Sequence, residues 1–113
     1  METQKQFLVS QIQTIVDVLG MECEWSGEYP GWQYRETSKL REIATEKYKE
    51  LFGKEPKIEA VHAGLECGYW AEKIKDADIL SIGPDMIDVH TPNERVAKQS
   101  IAHVWELLKA ILS

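Results

Sequence analysis

Apolar residues recur at helical intervals in three stretches of this chain and alternate or cluster in shorter ones between them. Leu8, Ile12, Ile15 and Leu19 follow the spacing of one helix face, with Gln, Thr and Asp between them. That pattern predicts an amphipathic helix over about residues 4–19, ended by Gly20. Leu40, Ile43, Ala44, Tyr48 and Leu51 predict a second helix, capped by Ser38, stopped at Gly53 and followed by Pro56. Ile101, Val104, Leu108 and Ile111 predict the last one, with an apolar face laid against a sheet. Upstream of them, Thr91-Pro92-Asn93-Glu94 has the form of a capping box with proline at the first helical position. On that reading Thr91 caps, Glu94 reaches back to it, and His90 lies just outside a helix N-terminus.

Between the helices, Met21 to Trp25 has the character of a short strand, and so do the alternating Ile58, Ala60 and His62 and the apolar run from Ala77 to Ile82. A short helix is predicted from Tyr69 to Lys75. Strand, loop, helix and strand in that order form the grammar of a parallel βαβ unit. The predicted fold class is therefore α/β, a small and mostly parallel sheet with helices packed on it. Such a sheet needs cover on both faces, and about three substantial helices leave one face or edge open to another chain or segment. The segment Ser26-Gly27-Glu28-Tyr29-Pro30-Gly31-Trp32 is rich in turn formers and aromatics and is the one candidate linker. Trp25, Trp32, Trp70 and Trp105 are expected to pack.

Composition narrows the class. With 113 residues the chain supports one modest core, and 43% hydrophobic with 28% charged residues describe an ordinary globular chain. A formal charge of −6, with basic residues scattered among acidic helices, argues against nucleic acid as a partner. No stretch approaches the roughly 18 apolar residues of a membrane span, and the polar start lacks the features of a leader. Cys23 and Cys67 form no CxxC pattern, so neither a disulfide framework nor a zinc knuckle is expected, and a cytoplasmic location fits best.

Chemistry concentrates in two places. The heptapeptide His62-Ala63-Gly64-Leu65-Glu66-Cys67-Gly68 puts an imidazole, an acid and a thiol around two glycines at the end of a predicted strand, the edge at which α/β sheets bind ligands. A helix beginning near Gly68 would offer free N–H groups to a carboxylate. The plain alternative is a tight strand-to-helix turn with Cys67 buried as a small apolar residue. Cys67 as a nucleophile with His62 as its base lacks a third, orienting group, and a local His62, Glu66 and Cys67 metal cluster lacks ligand spacing. The second place is His90, a loop imidazole beside a helix start, where the neutral form that binds metal is favoured. Histidines at such positions are more often turn residues than ligands. His103, inside the last helix, has a structural role.

The segments Tyr29-Pro30-Gly31-Trp32, Tyr48-Lys49-Glu50-Leu51-Phe52-Gly53, His62 through Gly68, and Ser81-Ile82-Gly83-Pro84 through His90-Thr91-Pro92-Asn93-Glu94-Arg95 resemble, in order and spacing, those of the aminoacyl-histidine dipeptidases, also called cytosol nonspecific or Xaa-His dipeptidases. The resemblance covers essentially the whole chain but only about the last quarter of a full-length member. It implies a zinc-peptidase-like catalytic domain, interrupted by a lid or dimerisation domain and holding two zinc ions. Residues 1–32 would then end the lid domain, and residues 33–113 would form the C-terminal part of the catalytic domain. By the same resemblance His90 matches the last metal-ligand histidine, and the loop of Gly64, Glu66, Cys67 and Gly68 lines the pocket for a dipeptide substrate. The remaining metal ligands and the glutamate general base would lie in an upstream part outside these residues.

That division implies that the chain alone binds zinc weakly or not at all and does not hydrolyse dipeptides, because one imidazole falls short of the about three protein ligands of a catalytic zinc. Asn93 stands where many members carry aspartate, removing a charge beside the metal. A contrasting expectation is a non-catalytic module of the same fold that binds a small carboxylate at the Gly64–Gly68 loop. Exposed apolar surface left by an absent partner domain would also favour homo-oligomers.

Overall fold

The computed structural model describes residues 2–61 and 64–113 and contains four helices and one two-stranded ladder among them. Met1–Arg35 with Ala60–Ala77 form one compact unit, and Glu36–Glu59 with Asp78–Ser113 form the other.

In the first unit, α1 (Glu2–Val18) ends where Gly20 turns left-handed at φ +66°. Its half-buried positions are Lys5, Val9, Gln13 and Val16, one helix face at i, i+4, i+8 and i+11. That is not the apolar face. Leu8, Ile12, Ile15 and Leu19 point to solvent, each about half exposed or more. Polar bonds explain the choice: Lys5 Nζ donates to the Tyr29 carbonyl at 2.9 Å and pairs with Glu28 at 3.2 Å. Further along, the Trp25 indole N–H donates to Gln13 Oε1 at 2.9 Å. The expected strand at 21–25 forms no ladder, and this segment instead lies back along the polar face of α1. Arg35 closes the unit by donating to the carbonyls of Asp76 and Ala77 at 2.9 and 2.8 Å. A short helix, α3 (Cys67–Lys73), begins two residues earlier than its pattern predicts.

In the second unit, α2 (Lys39–Phe52) has the predicted ends. Ser38 Oγ accepts from the Arg41 N–H at 3.0 Å, and Gly53, at φ +65°, donates its N–H to the Lys49 carbonyl. Leu40, Ala44, Tyr48 and Phe52 make its inward face, while Ile43 and Leu51 face outward. It packs against α4 (Lys98–Leu112), so the last helix meets a helix and not the expected sheet. Tyr48, Phe52 and His103 form an aromatic string across that pairing, with ring centroids 4.8 and 5.1 Å apart. His103 thus has the structural place its sequence context implies.

The ladder joins β1 (Met86–Ile87) to β2 (Arg95–Val96) and is antiparallel, with Met86 opposite Val96 and Ile87 opposite Arg95. No parallel pair occurs among the described residues, and residues 57–61 and 77–82 join no ladder. The apolar spacing of those segments is what a strand requires, but a parallel strand also requires neighbours. The last helix also starts late. Thr91 to Glu94 closes as a turn, the Glu94 N–H donating to the Thr91 carbonyl at 3.1 Å, and the backbone then enters β2 before α4 begins. Ser100, 7% exposed, fastens that start. Its hydroxyl donates to the Ala97 carbonyl and accepts the Asp85 N–H, while the Ala97 N–H reaches back to Asp85.

Little apolar surface is covered. Ala44 and Leu107 are the only buried hydrophobic residues among those described, and Trp70 and Trp105 are more than half exposed, against the expectation that they pack. The chain exposes 9574 Å², whereas two separate globules sharing its mass would expose roughly 7,600 Å² together. Among the described residues no helix is long and apolar enough to cross a membrane.

Candidate functional site

The glycine-flanked loop lies in the first unit. Its path is set by the aromatic segment before it: Tyr29 and Tyr69 meet edge to face at 4.7 Å, and the Tyr29 ring also lies against Gly64. A Cβ at Gly64 would stand 3.3 Å from that ring, and a Cβ at Gly68 would stand 2.6 Å from the Pro30 carbonyl oxygen. The second distance is too short for any side chain, so the absence of a Cβ at Gly68 is what lets the Pro30 backbone approach. Partial burial, then Glu66, then Tyr69 push the Tyr29 phenol above its usual value of 10.0.

Glu66 is exposed and Cys67 is a half-buried free thiol at the start of α3. The Gly68 N–H donates to the Leu65 carbonyl at 2.9 Å and the Tyr69 N–H to the Glu66 carbonyl at 3.0 Å. Two of the donors that a carboxylate cradle would use are therefore spent on the turn itself, which counts against the carboxylate-binding module. His62 lies outside the described residues, and with it the His62–Cys67 pairing and the local His62, Glu66 and Cys67 cluster.

His90 lies in the second unit, on the loop that joins β1 to β2. Asp88 and His90 both adopt left-handed backbone, at φ +56° and +64°. For a non-glycine residue this costs about 1–2 kcal/mol, and the loop holds both with bonds of its own. The Thr91 N–H and hydroxyl donate to the Asp88 carbonyl at 3.2 and 2.7 Å, and Thr91 Oγ1 accepts the Asn93 N–H at 3.2 Å. Arg95 pairs with Asp88 at 2.8 Å across the base of the loop. Glu94 does not reach back to Thr91 as a capping box requires; its Oε2 accepts the His90 N–H at 2.8 Å. The His90 ring is exposed and makes no hydrogen bond among the described residues. Asp88, Pro92, Asn93, Glu94 and Arg95 line a shallow, open hollow on the same loop, and His90 is not among its lining residues.

An exposed imidazole without a hydrogen bond among the described residues suits one position in a metal's ligand set. Among the described residues no group of three or more His, Cys, Asp or Glu could hold a metal by itself. These residues fit a metal as one contribution to a larger site.

The family model for Peptidase family M20/M25/M40 matches residues 6–113. This chain belongs to that family. Over 108 residues it is 38% identical to the cytosol non-specific dipeptidase of Escherichia coli (strain K12), covering 96% of this chain and 22% of that protein. The crystal structure of aminoacylhistidine dipeptidase from Vibrio alginolyticus superposes with a TM-score of 0.77 at 30% identity, covering 99% of this chain and 23% of that one. The chain thus spans less than a quarter of the length of either relative, and its helix-rich fold with a small ladder matches a part of the family fold. The sequence resemblance to the dipeptidases is borne out.

Proposed function

We propose that this chain is the C-terminal part of a zinc-dependent dipeptidase acting on Xaa-His and other dipeptides, with His90 as one metal ligand. Gly64, Glu66, Cys67 and Gly68 line the substrate pocket in this reading. Residues 1–32 end a lid or dimerisation domain, and residues 33–113 belong to the catalytic domain. The observation that carries it is the exposed, unpaired imidazole of His90 on a loop whose turns and ion pair order it, in a chain of this family.

Bound zinc supplies the Lewis acidity that polarises a peptide carbonyl and lowers the pKa of water. This chain's part is narrower. His90 offers a ring nitrogen, and the loop's internal bonds hold its backbone in place before any metal arrives, so little ordering cost falls on binding. The Gly64–Gly68 turn, packed against Tyr29 and Pro30, presents Glu66 and Cys67 from a fixed backbone. The general base and the other ligands come from upstream polypeptide, so the chain alone is inactive and holds zinc weakly. A cytoplasmic location is supported by the two free cysteines and by the cytosolic relative.

Complementation tests the reading. The chain is mixed with an Escherichia coli dipeptidase truncated to remove the matching C-terminal segment, and hydrolysis of a Xaa-His dipeptide is assayed with zinc. Activity is expected from the mixture, from neither part alone, and not from a mixture carrying His90→Ala. Retention of one zinc per chain after dialysis, with hydrolysis by the chain alone, would contradict it.

A further inference from the structure

We infer that Glu94 is a positioning residue for His90: by accepting the His90 N–H, its carboxylate holds that backbone left-handed and so fixes where the imidazole leaves the loop. The purpose of this device rests on the reading of His90 as a metal ligand, while its substance is the geometry of the loop.

The direction in which a side chain leaves the backbone is set by φ and ψ, and a left-handed histidine that relaxes to the extended region swings its Cα–Cβ bond away. His90 sits at φ +64° without a glycine's freedom. The other bonds of the loop act on its neighbours. Thr91 is tied to Asp88 and Asn93 to Thr91. The bond from the His90 N–H to Glu94 Oε2, at 2.8 Å, is the one that His90 itself makes among the described residues. Glu94 is in turn well placed to hold it, since its own N–H is spent on the Thr91 carbonyl and its neighbour Arg95 is clamped to Asp88. The glutamate therefore acts on the metal ligand through the backbone, and needs no contact with a metal to do so. What the role demands is an acceptor at that reach. Glutamine supplies one without the charge and alanine supplies none, so the two variants separate the hydrogen bond from electrostatic attraction of a cation.

The test uses the 113-residue chain labelled for NMR, with millimolar Zn²⁺ as the probe. In Glu94→Ala the His90 amide should exchange with solvent about tenfold faster or more and its HN–Hα coupling should leave the left-handed value. The Zn²⁺-induced shift of the His90 ring should need about tenfold more metal. Glu94→Gln should retain all three wild-type signatures, and the amides of β1 and β2 and the His103 ring should be unchanged in both variants. Unaltered His90 exchange and coupling in Glu94→Ala would overturn the inference. So would a Glu94→Gln chain that behaves like Glu94→Ala, or loss of the β1–β2 ladder in Glu94→Ala, which would make the role merely structural. A wild-type ring indifferent to Zn²⁺, with exchange still dependent on Glu94, upholds the positioning and overturns the ligand reading instead.

Discussion

Asp78 caps α2 from forty residues downstream: one carboxylate oxygen accepts the Ser38 hydroxyl at 2.6 Å and the other accepts the Leu40 N–H at 2.9 Å. Ser38 is 5% exposed and spends its own oxygen on the Arg41 N–H, so the two residues divide the free donors of the first turn between them. Removing the carboxylate with Asp78→Ala leaves a buried hydroxyl and a backbone N–H unpaired, at a cost of about 1–3 kcal/mol. Ser38→Ala should cost about 1 kcal/mol. Because the two share a bond, the double variant should cost less than the sum, and urea denaturation of the four chains measures the difference. Strict additivity would show that the 2.6 Å contact carries no coupling.

Gly68 should tolerate no side chain. An added Cβ would stand 2.6 Å from the Pro30 carbonyl oxygen, so either that backbone or α3 must shift. Gly68→Ala is expected to destabilise the first unit by about 1–3 kcal/mol, as overpacking does. Gly64→Ala meets only the Tyr29 ring at 3.3 Å and should cost less. Hydrogen exchange at Tyr69 and Trp70 reports the local effect, and equal protection in the two variants would rule out the steric account.

Local signals carried far in this sequence and non-local ones did not. Ser38 and Gly53 bound α2 because a cap is a contract among residues a few positions apart, and the sequence shows all parties to it. The same signal at Thr91 misled. A Thr-Pro-x-Glu run suits a turn as well as a helix start, and here the turn, the ladder and the Ser100 anchor delay α4 to Lys98. The apolar stripe of α1 was legible, but its direction was not. Which face turns inward depends on Gln13 and Lys5 meeting Trp25, Glu28 and the Tyr29 carbonyl, and no periodicity encodes those partners. For the site, motif resemblance singled out His90 and the Gly64–Gly68 loop. The left-handed backbone of His90 and the role of Glu94 were hidden, because the expected partner of that glutamate was Thr91.

The raised pKa of the Tyr29 phenol makes the first unit sensitive to alkali. Burial, Glu66 and Tyr69 all disfavour the phenolate, so the folded chain keeps its proton at a pH where the unfolded chain has lost it. This contribution to stability is complete below the unfolded value near 10.0 and disappears as pH rises through the higher folded value. Tyr29→Phe keeps the ring against Gly64 and Tyr69 and removes the ionisation. Stability measured from neutral pH to beyond 10.0 should therefore fall less steeply in the variant than in the wild type. Identical slopes would show that the phenol titrates alike in both states.

The outward apolar face of α1 should make the isolated chain self-associate. Leu8, Ile12, Ile15 and Leu19 share one side of the helix and are 62%, 48%, 60% and 64% exposed, while Ile101 and Trp105 stand out from α4. Each large side chain that a contact covers contributes about 1.5–3 kcal/mol, so a self-complementary contact that covers this stripe on both copies offsets the about 4–15 kcal/mol that association costs. Sedimentation equilibrium should show species larger than the 13.0 kDa monomer. Ile12→Lys with Ile15→Lys should weaken association by about a hundredfold or more while leaving the bonds of Lys5 and Gln13 intact. Val9→Ala with Val16→Ala, on the half-buried face, should do the reverse, lowering the melting temperature of the first unit without returning the chain to monomer. A wild-type chain that sediments as a clean monomer at high concentration would mean that these side chains are satisfied in water as they stand.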